Sequence, residues 1–205
     1  MDAQIFWNII GIYNRSTWLI QILLFIALVL CVVMAYQQKT VFLPKFILGI
    51  INLFIGICFF GYYGTEAIQK HFALPLFVAI GVLFLWESVK HRNDSFLRFN
   101  EIQLSLLGLV VLYPLVSLLL GHKFPQIVVY IMPCPMISLS IILYSCYKHK
   151  NKVLLLLLTL WGLTGVKAFI VNAFEDTILL ICGIYCLFLF IHHVGKGRLI
   201  SIGKK

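Results

Sequence analysis

Residues 18–36 read WLIQILLFIALVLCVVMAY, nineteen positions without a charge. The hydrocarbon core of a bilayer is crossed by about 20 apolar residues of helix. This stretch meets that length, and Gln21 is its one strongly polar side chain. Six further stretches resemble it, at 44–63, 72–89, 102–121, 127–147, 153–172 and 177–194. The polar residues gather in the breaks, at 37–39, 64–70, 90–100, 122–126, 148–152, 174–176 and 195–205. Of 205 residues, 62% are apolar or aromatic and 11% are charged. Soluble domains are roughly half apolar and a quarter charged, so lipid is the solvent that suits this composition. The expected fold is all-α, a polytopic membrane bundle of about seven transmembrane helices forming a single domain over 1–205.

Residues 1–17 contain Ile5, Phe6, Trp7, Ile9, Ile10 and Tyr13. Tryptophan and tyrosine favour the headgroup level, so an interfacial lead-in helix is expected there. Asp2 precedes it without a basic cluster, and no small-residue cleavage site follows residue 36, so 18–36 is read as a span and not as a leader. The net charge of +9 raises nucleic acid as a partner. The basic residues, however, lie in small groups between apolar runs, without the basic face that nucleic acid requires. They sort by side instead. One set of alternate loops holds twelve: Lys39, Lys45, Lys90, Arg92, Arg98, Lys148, Lys150, Lys152, Lys196, Arg198, Lys204 and Lys205. The other holds three, Arg15, Lys70 and Lys123, and Lys167 falls inside a stretch. Cytoplasmic loops are the basic ones. This predicts an outside amino terminus, a cytoplasmic carboxyl terminus with a basic tail at 195–205, and anionic lipid as a partner at that face. The expected location is a bacterial inner membrane, with a second copy of the chain as a further candidate partner.

Seven spans permit a 3+1+3 plan with the fourth as inverting linker. At an offset of 109, Lys39, Leu48, Gly56, Phe60 and Glu66 fall on Lys148, Leu157, Gly165, Phe169 and Glu175. Such repeats are a transporter theme; coincidence between two apolar hairpins explains five matches as well.

Residues 113–135 read YPLVSLLLGHKFPQIVVYIMPCP and hold four prolines. Proline inside a helix leaves a carbonyl without its partner, so Pro114 is expected to break the fourth span, and Pro133 and Pro135 to bend the fifth around Cys134. Irregular backbone at membrane depth is tolerated where it lines a cavity or is buried in protein. A stiff bend presenting a thiol, with His122 in the preceding loop, suits a soft metal ion; a plain kink with Cys134 as packing accounts for the same residues. No cofactor is required by the sequence. Lys167 is an intramembrane charge near Glu175 and Asp176. It reads either as an ion pair with them or as a substrate contact. The other five cysteines read as packing residues. Glu87 and His91, one turn apart, read as an interfacial pair, and so do His192 and His193. No GxSxG, HExxH or phosphate-binding loop occurs, so an enzyme is the weaker reading.

With these residues in view, the chain resembles a family of bacterial integral membrane proteins of unknown function, sometimes labelled transporter permeases. The resemblance lies in Tyr13-Asn14, Thr17-Trp18 and Gln21 near the start. It continues in Tyr113-Pro114, Gly121-His122, Phe124-Pro125 and Pro133-Cys134-Pro135, and ends in Glu175-Asp176 before the last stretch. Met136 stands where threonine is common, and Lys167 where the span is usually uncharged. The resulting expectation is a small-solute or metal-ion transporter or a component of one, with an outward cluster of Asn14, Glu66, His122, Cys134, Lys167, Glu175 and Asp176. Its metal candidates are His122 and Cys134. A non-transporting sensor, assembly factor or partner subunit is the alternative, and an intramembrane enzyme acting on lipid or quinone is the third.

Overall fold

The computed structural model describes residues 3–171 and 173–202. Among them every regular element is helical, and a single isolated bridge pairs Phe96 with Tyr147. The first helix, α1 (Ala3–Tyr36), is unbroken, so the aromatic lead-in and the first apolar stretch are one rod. A short polar turn leads to α2 (Leu43–Phe54), which carries Pro44 in its first turn, where proline costs no hydrogen bond. It widens without a break into a π-helical segment, Ile55–Tyr62. A second π-helical turn, Gln69–Ala73, opens α3 (Leu74–Lys90). Then come α4 (Glu101–Val111), α5 (Tyr113–Leu119), α6 (Pro133–Ser145), α7 (Lys152–Leu163), α8 (Ala168–Val171) and α9 (Thr177–Ile202).

Local chemistry fixes several boundaries. Asn100 opens α4 with a reciprocal capping box: its side chain accepts from the Gln103 N–H, and the Gln103 side chain accepts from the Asn100 N–H. Asn151 caps α7 by accepting from the Val153 and Leu154 N–H groups. Two hairpins are held by glycine. A Cβ on Gly49 of α2 would come within 3.0 Å of the Gly81 carbonyl oxygen of α3, and one on Gly162 of α7 within 2.6 Å of the Gly183 Cα of α9. Small residues let helix backbones approach closely in a membrane, where packing rather than hydrophobicity drives association.

Among the described residues four helices are long and apolar enough to cross a membrane: Gln4–Tyr36, Leu43–Tyr62, Gln69–Lys90 and Phe174–Val194. A fifth crossing is available if α4 and α5 count together; they meet at a 43° bend, as Pro114 led us to expect. Tyr130 donates to the Val111 carbonyl at that bend, 2.9 Å.

One expectation is corrected. Pro133 and Pro135 do not bend a helix from within; they begin one. Met132 is extended, φ −131° and ψ 161°, and α6 starts at Pro133. The reason lies in the residues themselves. The residue before a proline is driven out of the α region, and the first helical turn has no use for the missing N–H groups. The half of the fifth stretch before Pro133 is therefore not helix. The sixth stretch ends on Asn172, outside the described residues. Of the expected tail, 195–202 continue α9 and 203–205 lie outside the described residues.

Candidate functional site

Between α5 and α6 the chain runs through residues 121–132 without regular structure. Buried backbone groups must find partners, and here side chains supply them. Asn14 of α1 donates to the Pro125 and Ile127 carbonyls, both at 2.8 Å. Tyr13 donates to the Ile131 carbonyl at 2.8 Å. The Asn14 amide oxygen accepts from Gln21 at 3.2 Å, and Gln21 also donates to Thr17 at 2.8 Å. From the other side, the Val128 N–H donates to the Ser117 hydroxyl at 3.1 Å. Tyr13, Asn14, Thr17 and Gln21 are all buried. They form one polar stripe along α1, three and four residues apart, facing the unwound segment.

Where α6 begins, a cavity of about 290 Å³ opens. Its wall is mostly apolar and includes the rings of Phe59 and Phe60 from the π-helical end of α2, Phe72 from the turn before α3, and Trp161 from α7. Cys134, Lys167 and Asp176 also line it. Asp176 lies beside the Cys134 thiol and the Tyr113 hydroxyl, and the Trp161 indole approaches the same thiol. Glu175, directly behind, is wholly buried and accepts a 3.0 Å hydrogen bond from Ser117. Three buried polar atoms around this point have no hydrogen-bond partner: Tyr113 Oη, Trp161 Nε1 and Glu175 Oε2. Buried groups left so are uncommon in folded proteins.

The structure thus gathers Cys134, Lys167, Asp176 and the adjoining Glu175 from the outward cluster. It separates the rest. Asn14 is spent on the clamp. Glu66 sits in the turn between the two π-helical segments, where its N–H meets the Gln69 side chain at 3.1 Å. His122 stacks on Trp7 with ring centroids 3.7 Å apart and is not among the cavity's lining residues. Among the described residues no three His, Cys, Asp or Glu side chains stand together as a metal site. Nor does Lys167 pair with either carboxylate: its side chain is exposed, and no ion pair within 4.0 Å joins it to Glu175 or Asp176.

The clamp joins residues 13–21 to the 113–135 segment by hydrogen bonds. The chain belongs to the family of unknown function DUF6064. The match covers residues 3–200, so the clamp, the cavity and both acidic residues lie within the DUF6064 region. No curated protein and no solved structure matches the chain.

A second polar centre was not visible in the sequence. It lies at the opposite end of α2. Lys45, which the loop count treated as a surface cation, is wholly buried. Its ammonium meets Asp94 at 2.7 Å and Glu87 at 3.8 Å, and lies 4.1 Å from the Tyr147 ring centroid. Asp94 also accepts from the Ser95 N–H at 2.8 Å and the His149 N–H at 3.2 Å. Glu87 accepts from the Asn151 amide at 3.2 Å and stands 4.0 Å from His91. Burial alone would push the Asp94 carboxyl up. The Lys45 hydrogen bond and charge, joined by the two N–H groups, outweigh it and hold Asp94 below the usual carboxylate range.

Proposed function

We propose that this DUF6064 protein is a seven-span transporter of a small organic solute in a bacterial inner membrane. Its amino terminus is outside, its carboxyl terminus is in the cytoplasm, and the cavity at Cys134 is its binding site. The observation that carries the proposal is the interrupted fifth stretch, whose helix begins inside the bundle at an aromatic cavity with unpartnered polar atoms. Transporters build their sites from such discontinuous helices, because unwound backbone lining a cavity is where lipid-depth chemistry is tolerated.

The count of seven has its own support. Six of the seven apolar stretches, with the residues that flank them, reach both polar centres. Ile10, Phe60, Phe72, Ser117, Cys134, Trp161 and Asp176 lie at the cavity end. Gln38, Lys45, Glu87, Gln103, Ser145 and Asn151 lie at the Lys45 end. The 13 residues of α6 rise about 20 Å against a core of about 30 Å, so a fifth crossing draws on the irregular segment before Pro133 as well. The matching glycine contacts of α2 with α3 and of α7 with α9 favour the 3+1+3 plan. The donor set favours an organic solute over a soft metal ion, since a single thiol and no neighbouring imidazole face the cavity.

Alternating access gives the test. A membrane-impermeant maleimide is applied to sealed right-side-out and inside-out vesicles, and labelling of Cys134 is located by mass spectrometry. A transporter exposes Cys134 to both sides in turn, so both preparations should be labelled. Labelling from the outer side alone would replace transport with the sensor or partner-subunit reading.

A further inference from the structure

The cavity sets two neighbouring carboxyl groups against a wall of rings. Asp176 lines it and Glu175 is buried immediately behind. Among the described residues, no lysine, arginine or histidine nitrogen lies within 4.0 Å of either carboxylate. Glu175 Oε2 has no hydrogen bond, and Oε1 has one, from Ser117. Carboxylates taken out of water without a positive partner are costly, and in a membrane they mark function. Lys167, the one cation in the lining, has an exposed side chain and stands more than 4.0 Å from both carboxylates.

The remaining wall says what kind of positive group fits. Phe59, Phe60, Phe72 and Trp161 bring aromatic rings to the wall, and rings can attract cations as well as apolar groups. A hard metal ion needs six or more oxygen ligands, and Asp176 is the one carboxylate in a mostly apolar wall. The volume, about 290 Å³, stands at the small end of ligand pockets.

We propose that the cavity binds a small amphipathic organic amine. Asp176 takes the ammonium group, and Phe59, Phe60, Phe72 and Trp161 enclose the hydrocarbon body. This names the solute class of the transport site and so rests on that reading for the route, while the binding site stands on its own geometry.

Three probes that share a phenylethyl body and differ in charge decide it: 2-phenylethylamine, 2-phenylethanol and 3-phenylpropionate, titrated calorimetrically into the detergent-solubilised full chain. The amine should bind at least ten-fold tighter than the alcohol or the carboxylate. Asp176→Asn should abolish that preference, and Lys167→Gln should leave amine binding equal or tighter. Equal or better binding of the alcohol or the carboxylate, or no binding of any probe, overturns the proposal. So does a preference that survives Asp176→Asn. The ranking on the unaltered protein needs no variant to fold. Amine binding with one-sided Cys134 labelling would keep the site and remove transport; two-sided labelling without amine binding would do the reverse.

Discussion

The two ends of the bundle handle buried charge in opposite ways. At one end Lys45 is enclosed by Asp94, Glu87 and the face of Tyr147, and both acids draw further hydrogen bonds from loop groups. At the other end Glu175 and Asp176 have no cation within 4.0 Å; Tyr113, Trp161 and Glu175 keep atoms without a hydrogen bond there, whereas Glu87 Oε2, also without a hydrogen bond, faces Lys45 at 3.8 Å and His91 at 4.0 Å. A buried charge network of complementary sign holds elements in one arrangement; a half-satisfied one leaves chemistry to be done. The Lys45 end ties α2, α3 and the 91–100 loop to the 147–151 turn, and the Cys134 end surrounds a cavity. The contrast separates a buried ion pair that ties elements together from unpaired carboxyls at the cavity proposed as the binding site.

The largest effect should come from breaking the ion-paired end. Lys45→Met leaves two buried carboxylates facing each other, and removing one partner of a buried pair costs about 3–5 kcal/mol. Chemical denaturation in mixed micelles measures it. Acid titration sharpens the result. Because the folded Asp94 is held below its ordinary value, its contribution is present above the unfolded pKa and is lost as pH falls through the folded one. Lys45→Met should flatten that acid limb. A loss below about 1 kcal/mol would erase the distinction between the two ends.

An intermediate effect is expected at the clamp. Asn14→Ala strips the partner from the Pro125 and Ile127 carbonyls at once. An unsatisfied buried acceptor costs about 1–3 kcal/mol. The segment before α6 should also loosen, and maleimide labelling of Cys134 should speed up. Unchanged labelling with lost stability would show that the clamp supports the fold without shaping the cavity.

Apolar runs of membrane length and breaks rich in charge were legible because both are local. So was the peculiarity of residues 113–135, since proline acts on its own helix. The error there was one of position: Pro133 and Pro135 opened a helix because residues 121–132 had already left helical geometry, which depends on partners over a hundred residues away. Asn14 was legible as a polar residue in an apolar setting, but its role as a backbone clamp required knowing where Pro125 and Ile127 fold. Lys45 was misread for the same reason. It stands beside Pro44 at a helix start, as loop cations do, and Asp94 is 49 positions away. Pairings of that reach leave no periodic trace.

The smallest effect should be at Lys167, and it discriminates between two readings of one residue. Proximity in sequence to Glu175 and Asp176 suggested an ion pair, and an exposed pair contributes about 0–1 kcal/mol. The structure gives Lys167 an exposed side chain with neither acid within 4.0 Å. Lys167→Met should therefore shift stability by less than about 0.5 kcal/mol, as surface substitutions do. What it changes is the cavity rim, where it removes the one positive charge that an incoming cation meets. Stability unchanged with faster Cys134 labelling by a positively charged thiol reagent, and no faster labelling by a neutral one, would assign Lys167 to the entrance. A loss above about 1 kcal/mol would restore the ion pair and give the carboxyls at the Cys134 end a partner after all. The two ends of the bundle would then differ in degree and not in kind.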